Sequence, residues 1–215
     1  MKIIFCLPGN SFSNNFVQSW SETIYHLNKT GIEYLLSMKY SSNVYYVRSM
    51  CLGGNVLAGS TQLPFQGQVE YDYIMWIDSD QVWNPNHIIT LLNRNVDIVG
   101  GLYLMQGGQQ FTAVKEWNED YFKQHGSFQF MTPDDIDGIT DLIEVSYNGF
   151  GFMLIKKGVF EAIGYPWFRP EYQIIASLKD FASEDVSFCK IAQQKGFKVH
   201  VDPTVIVGHE KMIIF

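Results

Sequence analysis

The sequence has few cysteines, no cluster of basic residues and no long apolar run, and each shortage excludes a class of protein. Its three cysteines, Cys6, Cys51 and Cys189, lie far apart without zinc-ligand spacing, which favours buried free thiols in a reducing compartment. A net charge of −7 without a Lys/Arg cluster argues against nucleic acid as a partner. No apolar run approaches the roughly 20 residues of a membrane-spanning helix, and the apolar amino terminus is too short for a signal peptide. We therefore expect a cytoplasmic protein without a membrane segment.

Apolar and aromatic residues are abundant instead, at 47% and 15% of the chain. With 215 residues, the chain can bury a full hydrophobic core, and its length suits one domain rather than two. The last four residues, 212–215, are apolar, which is compatible with one domain of a longer protein. We expect residues 1–215 to form a single domain.

Hydrophobic periodicity in the first half alternates between the strand type and the helix type. Apolar runs predict strands at 2–7, 32–38, 73–77 and 96–104, and helical spacing predicts helices at 13–29, 43–57 and 85–93. This alternation indicates an α/β fold with a mainly parallel sheet and helices on both faces. In such sheets, ligands bind beyond the carboxyl ends of the strands.

The second half is less regular. Short strands are predicted at 111–117, 128–131 and 142–145, and a further strand at 152–155 is followed by a helix at 157–163. The aromatic segment 165–175 is predicted as a loop. Ser183 is expected to cap a helix at 184–194, with Gly196 at its end, and 197–201 is the closing strand.

The most informative element is the acidic pair Asp78 and Asp80, which directly follows the apolar run 73–77. Acids two residues apart on an extended segment point to the same side, with Ser79 pointing away. Two carboxylates this close repel unless something neutralises them, which favours a divalent cation and the phosphates it carries. The alternative is that the two acids simply cap the following turn.

Two further groups complement this pair. Glu184 and Asp185 lie in the first turn of a predicted helix, where acids are favoured by the helix dipole even without a function. The glycine-rich segment 148–152 precedes them, and its glycines allow close approach to a ligand or form a tight turn. His209 follows the last strand and is either an ordinary surface or core histidine or a third metal ligand. Its nitrogen would favour Mn²⁺ over Mg²⁺.

The order of these motifs resembles the GT-A class of nucleotide-sugar-dependent glycosyltransferases. The similarity runs over nearly the whole chain and is carried by these sequences: Asp78-Ser-Asp80, Ile98-Val-Gly-Gly101, Asn148-Gly-Phe-Gly151, Ser183-Glu-Asp-Val186 and Val207-Gly-His209. It is greatest for the inverting, Glu-Asp-bearing branch, which includes glycosyltransferases encoded by large viruses and bacteria. The resemblance implies a Rossmann-like, mostly parallel sheet, with a nucleotide-binding half at about 1–104 and an acceptor and catalytic half at about 105–215.

The resemblance also implies roles for individual residues on the donor side. The nucleotide site would be lined by Pro8, Gly9, Asn10, Ser11, Arg48, Asp78 and Ser79. Arg48 would reach the base or the diphosphate, although this chain has Val47-Arg48-Ser49 where family members often carry Ala-Arg-Asn. Asp78 would bind ribose or a metal-held water, and Asp80 and His209 would coordinate Mn²⁺ or Mg²⁺. The donor would be a nucleotide diphosphate sugar of the UDP or GDP type.

On the acceptor side, Asp185 would be the catalytic base and Glu184 would position sugar hydroxyls. Three glycines would border the donor sugar, namely Gly100, Gly101 and Gly149. Trp167 and Phe168 would offer an apolar platform to an acceptor glycan, unless they belong to the core. The implied reaction is transfer of a sugar to an acceptor hydroxyl with inversion.

Other functions are also compatible with parts of the sequence. Haloacid-dehalogenase-like phosphatases use a strand-terminal Asp-x-Asp, and residues 74–82 satisfy that pattern with Asp78 as nucleophile. Those enzymes carry the motif on their first strand, whereas about two βα units precede it here. A non-catalytic sugar- or nucleotide-binding module is a third alternative. A nucleotidyltransferase is less favoured, because the chain lacks an early basic, glycine-rich loop.

Overall fold

The computed structural model describes residues 1–175 and 178–211; the apolar residues 212–215, which suggested a longer protein, lie outside this part. The strands are β1 (Lys2–Pro8), β2 (Glu33–Lys39), β3 (Tyr73–Ile77), β4 (Gln81–Val82), β5 (Ile98–Leu102), β6 (Ala113–Val114), β7 (Ile143–Val145), β8 (Tyr147–Asn148), β9 (Phe152–Lys156), β10 (Tyr172–Ile175), β11 (Leu178–Phe181), β12 (Val199–Ile206) and β13 (Gly208–His209). The helices are α1 (Asn14–Thr30), α2 (Val44–Cys51), α3 (Pro85–Arg94), α4 (Glu119–His125), α5 (Val159–Ile163) and α6 (Glu184–Gln194).

A seven-stranded sheet in the order β2-β1-β3-β9-β5-β12-β7 forms the centre of the fold. β1, β2, β3, β5 and β12 share one direction, while β9 runs antiparallel between β3 and β5, and β7 is antiparallel to β12. The expected mostly parallel α/β sheet is therefore confirmed. The ends of β1, β3, β5 and β12 therefore lie together at the carboxyl-terminal edge of the sheet, where the candidate site is expected.

Alternating side chains divide the core between the two faces of the sheet. In β3, Ile74 and Trp76 face one cluster, which also contains Phe188 of α6, while Met75 faces a second cluster with Phe16 of α1. This alternation follows from the two-residue period of a strand. Helices consequently cover both faces, as the sequence predicts.

Both ends of α1 have the predicted caps. The Ser13 side chain accepts a hydrogen bond from the Phe16 backbone N–H at 3.0 Å, and Gly31 ends α1 in the left-handed region at φ 67°. α2 instead stops at Cys51, before the predicted limit of residue 57. Gly53 has φ +73°, and a Cβ on Gly54 would lie 2.8 Å from the Ser49 carbonyl oxygen, so the chain turns sharply there.

Several predictions for the second half are wrong. Segment 128–131 is not a strand, and of 111–117 only β6 is extended in a ladder. α4 was not predicted, nor was the hairpin of β10 and β11, part of which falls in the predicted loop 165–175.

All three cysteines are buried and without disulfides, which confirms the prediction of buried free thiols. Among the described residues, no helix is both long enough and apolar enough to cross a bilayer.

A buried ion pair fixes the bend in β12 that leads towards His209. The register of β12 against β5 shifts between Val201 and Ile206, and Asp202 lies in this irregular part, fully buried. Arg94 of α3 donates to both carboxylate oxygens of Asp202, at 2.7 and 3.2 Å, and Thr204 donates from its backbone N–H and its hydroxyl. Burial opposes ionisation, but these donors prevail and lower the pKa of Asp202.

We expect Asp202→Asn to lower the free energy of unfolding by about 1–3 kcal/mol near neutral pH, because Arg94 loses its charged partner. Since the folded-state pKa is depressed, the stabilisation is present above the unfolded value of about 3.9 and disappears as the pH falls through the folded value. Urea titrations should therefore show the difference from wild type shrinking on acidification. Asp120→Asn, at an exposed pair with Lys123, is the control and should change little. A difference that is constant with pH would contradict this account.

Candidate active site

The loops after β1 and β3 meet at the carboxyl-terminal edge of the sheet. A Cβ on Gly9 would lie only 2.8 Å from Cβ of Ser79, so the two loops pack at a distance that only glycine permits. The Gly9 backbone N–H donates to the Lys39 carbonyl at the end of β2. Asn10 and Ser11 are exposed beside this contact, while Pro8 is buried in β1.

Asp78 binds a buried arginine at this edge. Nη1 and Nη2 of Arg48 each lie 3.0 Å from one carboxylate oxygen of Asp78. The guanidinium is 3% exposed and lies over the rings of Trp76 and Phe150, at 5.6 and 5.2 Å from their centroids. This bidentate geometry is the strong form of an arginine–carboxylate pair.

The same arginine reaches Glu184 at the start of α6. Nε of Arg48 donates to Oε1 of Glu184 at 3.0 Å, so one side chain joins α2, the end of β3 and α6. Burial alone would lower the pKa of Arg48, but the two carboxylates raise it. Burial raises the pKa of both Asp78 and Glu184, and Arg48 opposes that shift. In this conformation Arg48 contacts carboxylates, whereas the sequence suggested contact with a base or diphosphate.

Asp185 is oriented by three donors. The hydroxyl of Tyr147 donates to Oδ2 at 2.8 Å, while Ser183 Oγ and the Val186 backbone N–H donate to Oδ1. Burial and the charge of Asp185 together raise the pKa of Tyr147 well above its usual range, so this phenol remains a donor. The charge of Asp185 also raises the pKa of Asp78, which reflects their proximity.

Asp80 lies next to His209, as the metal hypothesis requires. Nε2 of His209 is 3.2 Å from Oδ2 of Asp80, and Nδ1 is 2.7 Å from the Leu104 carbonyl oxygen. Nζ of Lys211 lies 2.6 Å from the same Oδ2. Burial opposes ionisation of Asp80, but His209 and Lys211 prevail and lower its pKa.

These donors fit a divalent cation. A neutral imidazole that donated from Nδ1 to the Leu104 carbonyl would offer its Nε2 lone pair to a cation bound beside Asp80. Carboxylate oxygen with imidazole nitrogen is a donor set that suits Mn²⁺. The described residues contain no cluster of three metal-ligating side chains, and Asp78 is occupied by Arg48. Asp80 and His209 are therefore the two protein ligands that the geometry offers.

The site carries an excess of negative charge. Its four carboxylates belong to Asp78, Asp80, Glu184 and Asp185, and they outnumber the two permanent cations, Arg48 and Lys211. Like charges in a partly buried site raise one another's pKa or attract a cation.

The three glycines expected beside a donor sugar are buried. A Cβ on Gly100 would lie 2.0 Å from Nδ2 of Asn148, and one on Gly101 would lie 2.8 Å from Cγ1 of Val205. A Cβ on Gly149 would lie 2.3 Å from the Tyr103 hydroxyl oxygen. Close packing thus accounts for glycine at all three positions.

Trp167 and Phe168 do not form a surface platform. They are 0% and 3% exposed, and Phe168 stacks on Phe188 in the core. Their apolar character is therefore explained by packing, which corrects the expectation of an acceptor platform.

The structure adds residues that sequence reasoning missed. Tyr147 orients Asp185, and Tyr103 accepts a hydrogen bond from the Gly151 backbone N–H, while the Gly151 carbonyl accepts from the Asp78 N–H. Lys211 was missed too, although it lies only two residues beyond His209. Neither tyrosine stands out in the sequence, because both roles depend on contacts between residues that are far apart along the chain.

The fold is that of GT-A glycosyltransferase catalytic domains, although the sequence matches no protein-family model and no curated protein. The catalytic domain of Drosophila β1,4-galactosyltransferase 7, in complex with xylobiose, aligns with 98% of this chain and 71% of its own, at 10% identity and a TM-score of 0.52. GalNAc-T7 with UDP, GalNAc and Mn²⁺ aligns with 99% of this chain and 44% of its own, at 11% identity and a TM-score of 0.53. A third similar structure, A197 from the virus STIV, covers 100% of this chain and 97% of its own, at 18% identity and a TM-score of 0.55.

Proposed function

We propose that this protein is a metal-dependent glycosyltransferase that moves a sugar from a nucleotide diphosphate sugar, of the UDP or GDP type, to a hydroxyl of a glycan, with inversion. The observation that carries the proposal is the meeting of Asp80 with His209 at the sheet edge that also holds Asp78, Glu184 and Asp185. Similar folds occur in complex with UDP and Mn²⁺ and with manganese, UDP-Gal and xylobiose, which supports this donor class.

On this proposal, Asp80 and His209 would hold the cation, and the loop from Gly9 to Ser11, which follows the buried Pro8, would line the nucleoside site together with Ser79. When bound, the ion would act as a Lewis acid that offsets charge on the leaving diphosphate. Arg48 holds Asp78 and Glu184 in place, so these carboxylates keep a fixed geometry towards the donor and the acceptor. The absence of a side chain at Gly149 lets the Tyr103 hydroxyl approach closely, and this hydroxyl accepts a hydrogen bond from the Gly151 backbone N–H.

Asp185 is proposed to take the proton of the acceptor hydroxyl as the new glycosidic bond forms. Its carboxylate is oriented by Tyr147, Ser183 and the Val186 backbone N–H, and these donors fix where the accepting lone pairs point. A base on the acceptor side is what direct displacement with inversion needs.

The phosphatase alternative is not supported. The fold resembles glycosyltransferases, and Asp78 follows the third strand rather than the first. Both oxygens of Asp78 accept hydrogen bonds from Arg48, which lowers their availability as a nucleophile.

The test is a thermal-shift screen of UDP- and GDP-sugars with and without Mn²⁺, followed by donor-hydrolysis assays. We expect one donor class to raise the melting temperature when Mn²⁺ is present, because Asp80 and His209 would hold an ion that offsets the charge of the diphosphate. Asp80→Ala should remove the metal-dependent part of the shift. Asp72→Ala, at a largely exposed carboxylate paired with the amino terminus, is the control and should keep it.

Two results would count against the proposal. Binding without turnover for every acceptor class would leave only a nucleotide-sugar-binding module. An unchanged affinity and Mn²⁺ requirement in Asp80→Ala would show that Asp80 is not a ligand.

A further inference from the structure

The C-terminal segment places an ammonium group where the cation is expected. Lys211 Nζ contacts Oδ2 of Asp80 at 2.6 Å, the same oxygen that faces Nε2 of His209 at 3.2 Å. One of the oxygen atoms proposed for the metal is therefore already in contact with a positive charge. An ammonium and a metal ion cannot occupy the same lone pairs of one carboxylate oxygen.

Backbone hydrogen bonds hold the segment that immediately precedes Lys211 against the loop of Asp80. β13 pairs antiparallel with β4, with His209 opposite Gln81. The Glu210 backbone N–H donates to the Asp80 carbonyl at 2.8 Å, and the Glu210 side chain accepts from Asn15 of α1 at 2.7 Å. Lys211 thus extends from a segment that is hydrogen-bonded to the Asp80 loop immediately before it.

We propose that Lys211 is a built-in counter-ion of Asp80 that competes with the divalent cation for this carboxylate. The inference rests on the proposed metal role of Asp80 and His209 and adds a regulatory residue to that site. In the metal-free protein Lys211 offsets part of the negative charge that the four carboxylates carry. A cation that binds Oδ2 must displace Lys211 from this oxygen. The free energy needed to break the Lys211–Asp80 pair weakens binding of the ion alone. The released ammonium then lies beside the site, free to pair with an anionic ligand that arrives with the metal.

The competition predicts a gain of function in metal binding. We expect Lys211→Met to bind Mn²⁺ alone about two- to fivefold more tightly than wild type, the range corresponding to a partly exposed ion pair. Lys211→Arg, which keeps the charge, should not gain this affinity. The side chains of Lys211 and Asp80 are 35% and 36% exposed, so the variants should fold, and thermal melting without metal checks this.

The measurement is a titration with MnCl₂ in the absence of nucleotide, read as free Mn²⁺ by electron paramagnetic resonance. Lys157→Met is the matched control, because Lys157 forms an ion pair with Glu70 at the same 2.6 Å, outside the Asp80–His209 contact. Its Mn²⁺ affinity should equal that of wild type. Asp80→Asn combined with Lys211→Met should lose the gain, since the contested oxygen no longer carries charge.

The possible results separate this inference from the proposed function. An affinity in Lys211→Met equal to or weaker than that of wild type overturns the competition, while metal-dependent donor binding would still stand. A gain that persists in the double variant overturns it too, because the effect would then not act through Asp80. Absence of Mn²⁺ binding in every variant overturns the inference, whereas the metal part of the proposed function is decided separately by the Mn²⁺-dependent thermal shift with a nucleotide sugar.

Discussion

Replacing Asp185 with Asn is expected to reduce sugar transfer by about 10²–10⁴-fold, the usual contribution of a positioned general base. Asparagine has nearly the same shape, so the hydrogen bonds from Val186 and Ser183 to Oδ1 can persist, and the Tyr147 hydroxyl can accept from the new amide. The change therefore removes basicity with little disturbance of packing. Because the donor is proposed to be held by other residues, Mn²⁺-dependent binding of the nucleotide sugar should remain nearly intact.

The measurement is the initial rate of transfer to an active acceptor, with donor binding followed separately by thermal shift. Asp134→Asn is a suitable control, because Asp134 is an exposed acid in the first turn of the short 3₁₀ helix Pro133–Ile136. It should leave both quantities unchanged. Tyr147→Phe should cause a smaller loss of rate than Asp185→Asn, because the carboxylate stays while one orienting donor is lost. Equal loss of transfer and donor binding in Asp185→Asn would refute the role as base.

The elements that the sequence predicted well are those defined by local signals. β3 spans Tyr73–Ile77 as predicted, because a five-residue apolar run bounded by acids has few alternatives. α6 has the predicted bounds, and Gly196 follows it at φ 89°, but the Ser183 side chain bonds to Asp185 instead of making the predicted capping hydrogen bond. The contact of Asp80 with His209 was also anticipated, since strands of a parallel sheet deliver their carboxyl ends to one edge.

What the sequence did not reveal depends on contacts between distant segments. Nothing local indicates that β9 inserts antiparallel between β3 and β5, because buried strands look alike in either direction. The sequence predicts a loop at 165–175, which contains β10, because exposed residues such as Tyr172 and Ile174 give no core-facing alternation. The sequence also suggests that Trp167 is part of a surface platform, because an aromatic residue in a proline-bearing segment gives no sign of its complete burial.

Arg48 shows how such contacts join the fold to the site. It lies 30 residues from Asp78 and 136 from Glu184 along the chain, yet it binds both. One cation between two partly or fully buried carboxylates fixes the start of α6, and with it the place of Asp185. Stability and catalytic geometry therefore depend on the same side chain.

Arg48→Met should consequently be among the most destabilising single changes, lowering the free energy of unfolding by about 3–5 kcal/mol near neutral pH. Methionine retains much of the apolar stem, so the main loss is the guanidinium, which lies over Trp76 and Phe150 and whose charge Asp78 and Glu184 share. Arg48→Lys should recover only part of the stability, because an ammonium group cannot reproduce the fork that bonds both acids. Urea unfolding measures the difference, and Arg169→Met, at a more exposed pair with Glu171, should cost no more than about 1 kcal/mol.

The pH dependence distinguishes lost charge pairing from lost packing. Burial already raises the pKa of Asp78 and Glu184, and removing Arg48 takes away the influence that opposes this shift. A raised folded-state pKa means that the folded protein gains stability from protonation as the pH falls, and loses it as the pH rises. The deficit of Arg48→Met relative to wild type should therefore narrow between about pH 7 and about pH 5, since a neutral carboxyl group needs no counter-ion. A deficit that stays constant over this range would mean that the side chain acts through packing alone.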